Sequence, residues 1–274
     1  MSAARQAGMR DGMQVSETSD DLDPARADAL RAALNLDGPP FRAGDPLPPF
    51  FHQVYFWNPL PPARLGRDGH PARPPALADA GLTRRMWAGG RLDFAHSLEC
   101  GRRAQRRTIP GPLSFKTGRS GPLAFQTLTH EIVQDGIIRV TERQDLVFRA
   151  EPGPDARPPE PIPARRDETQ SAEQDFSSTL LFRYSALTFN GHRIHYDADY
   201  ARQVEGYDGL VVHGPLLAQL LMLMADALAG PLRRFTFRAA APLIAGEGAT
   251  LCRAGRDLWV RAADGREIMT ASLD

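Results

Sequence analysis

From Arg91 the chain alternates apolar and polar residues: Leu92-Asp93-Phe94-Ala95, then Leu123-Ala124-Phe125-Gln126-Thr127-Leu128, then Ile137 to Phe148. A period of two puts successive side chains on opposite faces of a strand, so each segment predicts a strand with one buried face. Asp135-Gly136 between two such runs is a hairpin signal, and Gly118-Arg119-Ser120-Gly121 supplies an earlier turn. Together they predict an antiparallel meander over roughly 91–149. Upstream, Asp23-Pro24 offers a helix N-cap followed by proline at the first helical position, with Gly38-Pro39-Pro40 ending a helix that runs to about Asn35. The stretch from Pro46 to Pro75 holds Phe50, Phe51, Tyr55, Phe56 and Trp57, too many aromatics for a solvated linker; it predicts an ordered, irregular covering loop. Residues 1–20 carry no pattern and are expected to be disordered.

Six prolines between Pro152 and Pro163, then a charged and Gln-rich stretch, interrupt the alternation and predict a linker over 151–175. The pattern then restarts. Thr179 to Phe189 reads as a strand or strand-like lead-in, Ala198 to Val204 as a short helix, and Gly206 to Gly209 as a loop. Gly214 to Ala229 is apolar on nearly all faces, so it predicts a helix wrapped by a sheet rather than laid on a surface. Strands follow at about 232–240, 249–254, 257–263 and 266–273, separated by Gly246, Gly255 and Asp264-Gly265. The fold class is α+β, with an N-terminal domain over 21–150 and a C-terminal domain over 176–274. The first half has a meander but no comparable apolar helix; if the halves are duplicates, the first has lost or shortened it.

Composition removes several function classes. The 274 residues carry 33 basic and 33 acidic side chains, a zero balance that argues against a nucleic-acid partner. The most apolar run, Leu216 to Ala229, is broken by Gln219 and Asp226 and falls short of the roughly 20 residues a bilayer needs. Met1 to Val15 has no apolar signal core, and Cys100 and Cys252 are too few and too far apart for a disulfide framework. No membrane partner is expected, and the setting is expected to be cytoplasmic. Lys116 is the only lysine, so 32 of the 33 basic residues are arginine. That skew reads as genomic, yet arginine is also the better fork for carboxylates and phosphates.

Candidate chemistry concentrates in Tyr184-Ser185-Ala186-Leu187-Thr188-Phe189-Asn190-Gly191-His192-Arg193-Ile194-His195-Tyr196-Asp197 and in Gly209-Leu210-Val211-Val212-His213-Gly214-Pro215. Three of the seven histidines fall in these two segments. His195 can titrate near neutral pH, and Gly214 opens the long helix, where free N–H groups and the positive dipole end favour an anionic oxygen. Pro215 cannot donate, so Gly214 is the sharper oxyanion candidate. His192 is expected to hold the turn. His192 and His195 lack the spacing of a metal site and a third ligand, so no metal is expected.

These segments resemble the hydratase 2 motif of MaoC-like hot-dog enzymes. They are closer still to the branch of mesaconyl-C4-CoA and itaconyl-CoA hydratases and type 2 hydroxyacyl-thioester dehydratases. Shared features extend upstream through Leu47-Pro48-Pro49, Leu65-Gly66-Arg67-Asp68-Gly69-His70, Arg85-Met86-Trp87-Ala88-Gly89-Gly90 and Lys116-Thr117-Gly118-Arg119-Ser120-Gly121, so the resemblance covers about 20–274. It implies a double hot-dog, two antiparallel sheets each wrapping a helix, with a degenerate N-terminal unit and the active site in the C-terminal one. Five residues before His195 the wider family carries Asp; here it is Asn190, an amide that cannot accept a proton. The resemblance to the branch, which carries the same Asn, implies His195 as acid/base and Asn190 holding the water through its carbonyl. It implies the Gly214 N–H on the thioester oxygen. His213 is a substrate-binding candidate, as are Arg84 and Arg85 if the acyl group bears a second carboxylate.

The implied reaction is reversible addition of water to an enoyl-CoA thioester, most specifically a C5 dicarboxyl one giving citramalyl-CoA, by a homodimer and without a cofactor. Competing readings are a 3-hydroxyacyl-carrier-protein dehydratase and a non-catalytic thioester-binding subunit, the latter resting on Asn190 alone. A thioesterase would want a carboxylate near the carbonyl, and only Asp197 and Asp199 lie close in sequence.

Overall fold

In this computed structural model the described residues are 14–118, 121–151 and 160–274. The expectations for residues 1–13, for Arg119 and Ser120 in the turn, and for prolines 152–159 lie outside them. The first half holds β1 (Ser16–Asp20), α1 (Pro24–Ala33), α2 (Pro75–Asp79), β2 (Arg84–Phe94), β3 (Ala104–Pro110), β4 (Ser114–Gly118), β5 (Gly121–Gln134) and β6 (Ile137–Arg149). The second holds β7 (Gln170–Gln174), α3 (Ser178–Thr188), α4 (Ala198–Gln203), α5 (Gly214–Ala229), β8 (Arg234–Ala239), β9 (Ala249–Ala254), β10 (Asp257–Ala262) and β11 (Glu267–Leu273). All strands join one antiparallel sheet in the order β1-β3-β5-β6-β2-β8-β11-β10-β9-β7, with β4 on β5 off that path.

The two half-sheets meet where Gly89–Asp93 of β2 pairs with Arg238–Arg234 of β8. The first half is therefore not a simple meander: β2 lies beside β6 and β8 instead of beside β3. Short polar strands close the two ends of the path. Ser16-Glu17-Thr18-Ser19-Asp20, expected to be disordered, pairs with β3, and Gln170-Ser171-Ala172-Glu173-Gln174, expected to be linker, pairs with β9. Neither carries an apolar period because an edge strand contributes backbone hydrogen bonds and can leave its side chains in water.

Helix α3 replaces the strand expected over 179–189. The Ser177 hydroxyl caps it by accepting the Leu180 N–H at 3.2 Å, and its buried residues Leu181, Tyr184 and Ser185 follow a helical spacing. The aromatic and β-branched residues Thr179, Phe182, Tyr184 and Thr188 mask that period.

Helix α5 is buried from Leu216 through Met222 and again at Ala225, and it packs on β8, β10 and β11. Over the first half-sheet no helix of that kind is present among the described residues. There Phe50, Phe51, Val54, Tyr55 and Phe56 of the covering loop, including a short 3-10 turn at Phe51–Val54, join Leu92, Ile132 and Val140 in the same core as α5. The loop's aromatics thus supply the apolar surface that a central helix supplies in the second half.

The first half also encloses a polar centre. Glu142 of β6, 2% exposed, accepts hydrogen bonds from Gln53 (2.9 Å) and Gln144 (2.7 Å) and lies 2.8 Å from His52 Nε2. Burial would raise its pKa, but the hydrogen bond and charge of His52, with His130 and Gln144, hold it down to about 2. A carboxylate depressed in the folded state stabilises the fold above its unfolded pKa, and that contribution is lost as pH falls from about 4.5 toward 2. We expect Glu142→Leu to lower unfolding free energy at pH 7 by about 3–5 kcal/mol, because it leaves His52 buried without its partner. The same variant should lose stability less steeply than the parent below pH 4.5, which urea denaturation across pH measures.

Candidate active site

The turn between α3 and α4 is built by short-range hydrogen bonds. The Asn190 N–H donates to Ser185 O at 2.9 Å, and Asn190 Oδ1 accepts the His192 N–H at 3.0 Å. The Asp197 carboxylate caps α4 by accepting the Tyr200 N–H at 2.9 Å. Between them, a 3-10 turn at Arg193–His195 presents His195. The segment before α5 holds this turn by the Val211 N–H donating to Ile194 O at 2.9 Å, and by His195 Nδ1 at 2.7 Å from Val211 O. A carbonyl can only accept, so Nδ1 carries the proton and Nε2 presents its lone pair. No protein group hydrogen-bonds that Nε2 among the described residues.

Four imidazoles form a row. His195 stacks on His213 (ring centroids 3.7 Å apart), His192 stands edge-on to His195 (5.4 Å), and His70 tilts against His192 (4.5 Å). His213 Nε2 is 2.8 Å from Ser185 Oγ, while its Nδ1 is buried without a partner. Burial pushes all four pKa values down: His192 to about 4, with Arg85 adding to the effect, and His195 to about 3, with His192 adding to it. His70 and His213 lie well below the ordinary value for the same leading reason. The row is therefore neutral at physiological pH. The rings face one another rather than converge, and no three His, Cys, Asp or Glu side chains among the described residues could share a metal ion.

His70 arrives from the first half on the turn Gly66-Arg67-Asp68-Gly69-His70. Gly69 adopts φ +82°, and a Cβ there would stand 2.0 Å from Gly191 O, so only glycine permits the two turns to meet. The Arg193 N–H donates to Asp68 O at 2.9 Å across this contact. Asp68 itself is buried and paired with Arg73 at 2.6 Å.

Strand β2 supplies the opposite wall. A bulge at Ala88 interrupts its pairing with β6 between Trp87 and Gly89, next to the start of α5. A Cβ on Gly214 would lie 2.9 Å from Trp87 Cε3, so the indole rests on the first residue of α5. By position, the N–H groups of Gly214 and Leu216 have no intrahelical acceptor, and His213 contributes no side-chain cap.

A model of the hydroxyacyl-thioester dehydratase type 2 family matches residues 50–245. The chain belongs to that family. It is 43% identical to the mesaconyl-C(4)-CoA hydratase of Chloroflexus aurantiacus over 84% of this chain and 82% of the relative. In structure it is similar to HtdX of Mycobacterium tuberculosis (TM-score 0.64, 17% identity, 94% of this chain and 98% of that one). It is also similar to another M. tuberculosis protein described as having a double hot-dog fold (TM-score 0.56, 15% identity, covering 95% and 96%). The α+β double hot-dog expected from the sequence is the observed fold, its two sheets continuous through β2 and β8.

For a member of this dehydratase family the placement of candidates is informative. Asn190, His192, His195, His213 and Gly214 come together; Arg84 and Arg85 part. Arg84 is buried, its Nε 2.9 Å from Glu205 and its guanidinium over the Tyr207 ring, so its charge is satisfied inside the protein. Arg85 has no carboxylate within ion-pair distance among the described residues. The Asn190 carbonyl, expected to hold water, already accepts the His192 N–H, which leaves its NH2 group without a protein partner. Sequence reasoning gave no role to His70 or Trp87; a Gly-rich turn ending in His, and a Trp two residues after Arg85, were the available signals. We expect Gly214→Ala to lower turnover about 10- to 100-fold by displacing the helix start, with a stability cost of only about 1–3 kcal/mol. Recovery of turnover in Gly214→Ala/Trp87→Leu, read by steady-state kinetics, would identify the clash with Trp87 as the cause.

Proposed function

We propose that this protein is a hydro-lyase that adds water reversibly to the double bond of an enoyl-CoA thioester. The acyl group that fits best is the C5 dicarboxyl one of mesaconyl-C4-CoA, or itaconyl-CoA, giving citramalyl-CoA. The observation that carries the reading is the fixed tautomer of His195: Nδ1–H is held by Val211 O, and a free Nε2 sits beside the N-terminus of α5. Identity to a mesaconyl-C(4)-CoA hydratase supports the acyl group.

In the forward direction His195 Nε2 accepts a proton from water, and the oxygen adds to the β-carbon. The π electrons move onto the thioester oxygen, which the Gly214 N–H receives at the dipole end of α5. The imidazolium proton then goes to the α-carbon, so water is added across the bond and His195 returns to its starting state. Asn190 donates from its NH2 group to the attacking water while its carbonyl keeps the turn closed. The same steps in reverse are the dehydration for which the family is described. His195 and Gly214 lie in the second half-chain, and the setting proposed is a cytoplasmic homodimer.

His195→Ala should reduce hydration of mesaconyl-C4-CoA by about 10²–10³-fold with folding intact; near-normal turnover would rule out the assignment. The pH profile provides a separate check. A protonated His195 cannot act as base, and burial holds its pKa at about 3, so kcat/KM should stay level from about pH 8 down to about pH 5. An acid limb near 6.5 would show that the base is a different, solvated imidazole.

A further inference from the structure

We propose that Arg85, flanked by His70 and His192, forms the subsite that receives the free carboxylate of the substrate and so decides which acyl group is accepted. The inference rests on the hydratase reading above and deepens it.

Strand geometry places the guanidinium. Trp87 rests on Gly214 at the start of α5, and the bulge falls after Trp87, so the pleat from 85 to 87 is regular. Arg85 therefore shares the face of Trp87 and lies about 7 Å further along the strand. Arg84, on the alternate face, goes to Glu205. The row of imidazoles runs the same way: His213 precedes Gly214, His195 stacks on His213, and His192 and His70 follow. The charge of Arg85 bears on His70 and His192, the far members of that row. Two groups that favour an anion thus lie toward opposite ends of the row that holds His195: the helix N-terminus beside His213, and the Arg85 fork, whose charge reaches His192 and His70.

A C4 thioester of methylfumarate has matching topology. Its thioester oxygen lies on one side of the double bond, and its free carboxylate is bonded directly to the β-carbon that water attacks. With the thioester oxygen on Gly214 and the β-carbon at His195, the carboxylate falls toward Arg85. Among the described residues no carboxylate forms an ion pair with that cation. Asp68, the carboxylate whose charge bears on it, is held by Arg73 at 2.6 Å, and the neighbouring imidazoles are neutral. The adjacent Arg84 shows what a structural arginine looks like here: it has its own buried glutamate. A half-buried guanidinium without one is suited to a bidentate ligand from outside.

The test compares mesaconyl-C4-CoA with crotonyl-CoA, which shares the CoA and lacks the carboxylate. Binding is measured by titration calorimetry in the His195→Ala protein, with and without Arg85→Gln or Arg85→Lys, and turnover is measured in the corresponding proteins that retain His195. We expect Arg85→Gln to reduce the mesaconyl-to-crotonyl affinity ratio by about tenfold or more, and Arg85→Lys to restore part of it. If Arg85→Gln fails to fold, Arg85→Lys alone should still lower the ratio, because an ammonium keeps the charge and loses the fork. An unchanged ratio overturns the proposal, as does equal weakening of both thioesters, which would assign Arg85 to the CoA phosphates. If the parent protein hydrates neither thioester but the ratio still depends on Arg85, the hydratase reading fails and the carboxylate subsite stands.

Discussion

Helix α5 leaves little beyond its last turns to solvent, so it needs strands against one side and equally apolar matter against the rest. Strands β8, β10 and β11 meet the first requirement, and the aromatics of the 50–56 loop help meet the second. Once α5 is enclosed in this way, the direction of its N-terminus is fixed, and so is the place where its dipole is felt with little water to screen it. Trp87 and the His213 ring then seat against that end because the space there is already shaped.

The electrostatics of the site follow from the same enclosure. Four imidazoles stripped of water stay neutral, so the local field comes from the helix end and from Arg73, Arg84 and Arg85. Two of those arginines are paired, with Asp68 and with Glu205. The region is therefore positive in the resting protein without any histidine being charged. An imidazolium becomes favourable only when negative charge develops beside it, as it does on an enolate oxygen. In the proposed mechanism this arrangement couples the basicity of His195 to the presence of an acyl group that can carry that charge.

The strands with alternating side chains, helix α5 and the 184–215 block were legible because burial leaves a period and the helix start leaves a signature. Edge strands β1 and β7 were not, since their side chains meet water and their bonding is all backbone. Helix α3 was hidden by residues that favour strands in isolation and are overruled by the Ser177 cap and by packing. Within the site, the motif pointed to Asn190, His195 and Gly214, but not to the division of labour between Arg84 and Arg85. Adjacent residues of one type read alike in sequence; only the pleat and the position of Glu205 separate them. His70 was invisible for a different reason. Its placement depends on a turn from the first half touching a turn from the second, a contact of high sequence separation that the Gly-rich turn alone does not reveal.

That contact has an implication for how the chain can change. Gly69 and Gly191 meet backbone to backbone, so neither position can acquire a side chain without forcing the two turns apart. The first half, in which the described residues form no long central helix, is thereby tied to the candidate site in the second. Within the turn that carries His70, Gly69 cannot take a side chain at all, because its Cβ would stand 2.0 Å from Gly191 O. Whatever its own core, the first half is kept as the second wall of the candidate site.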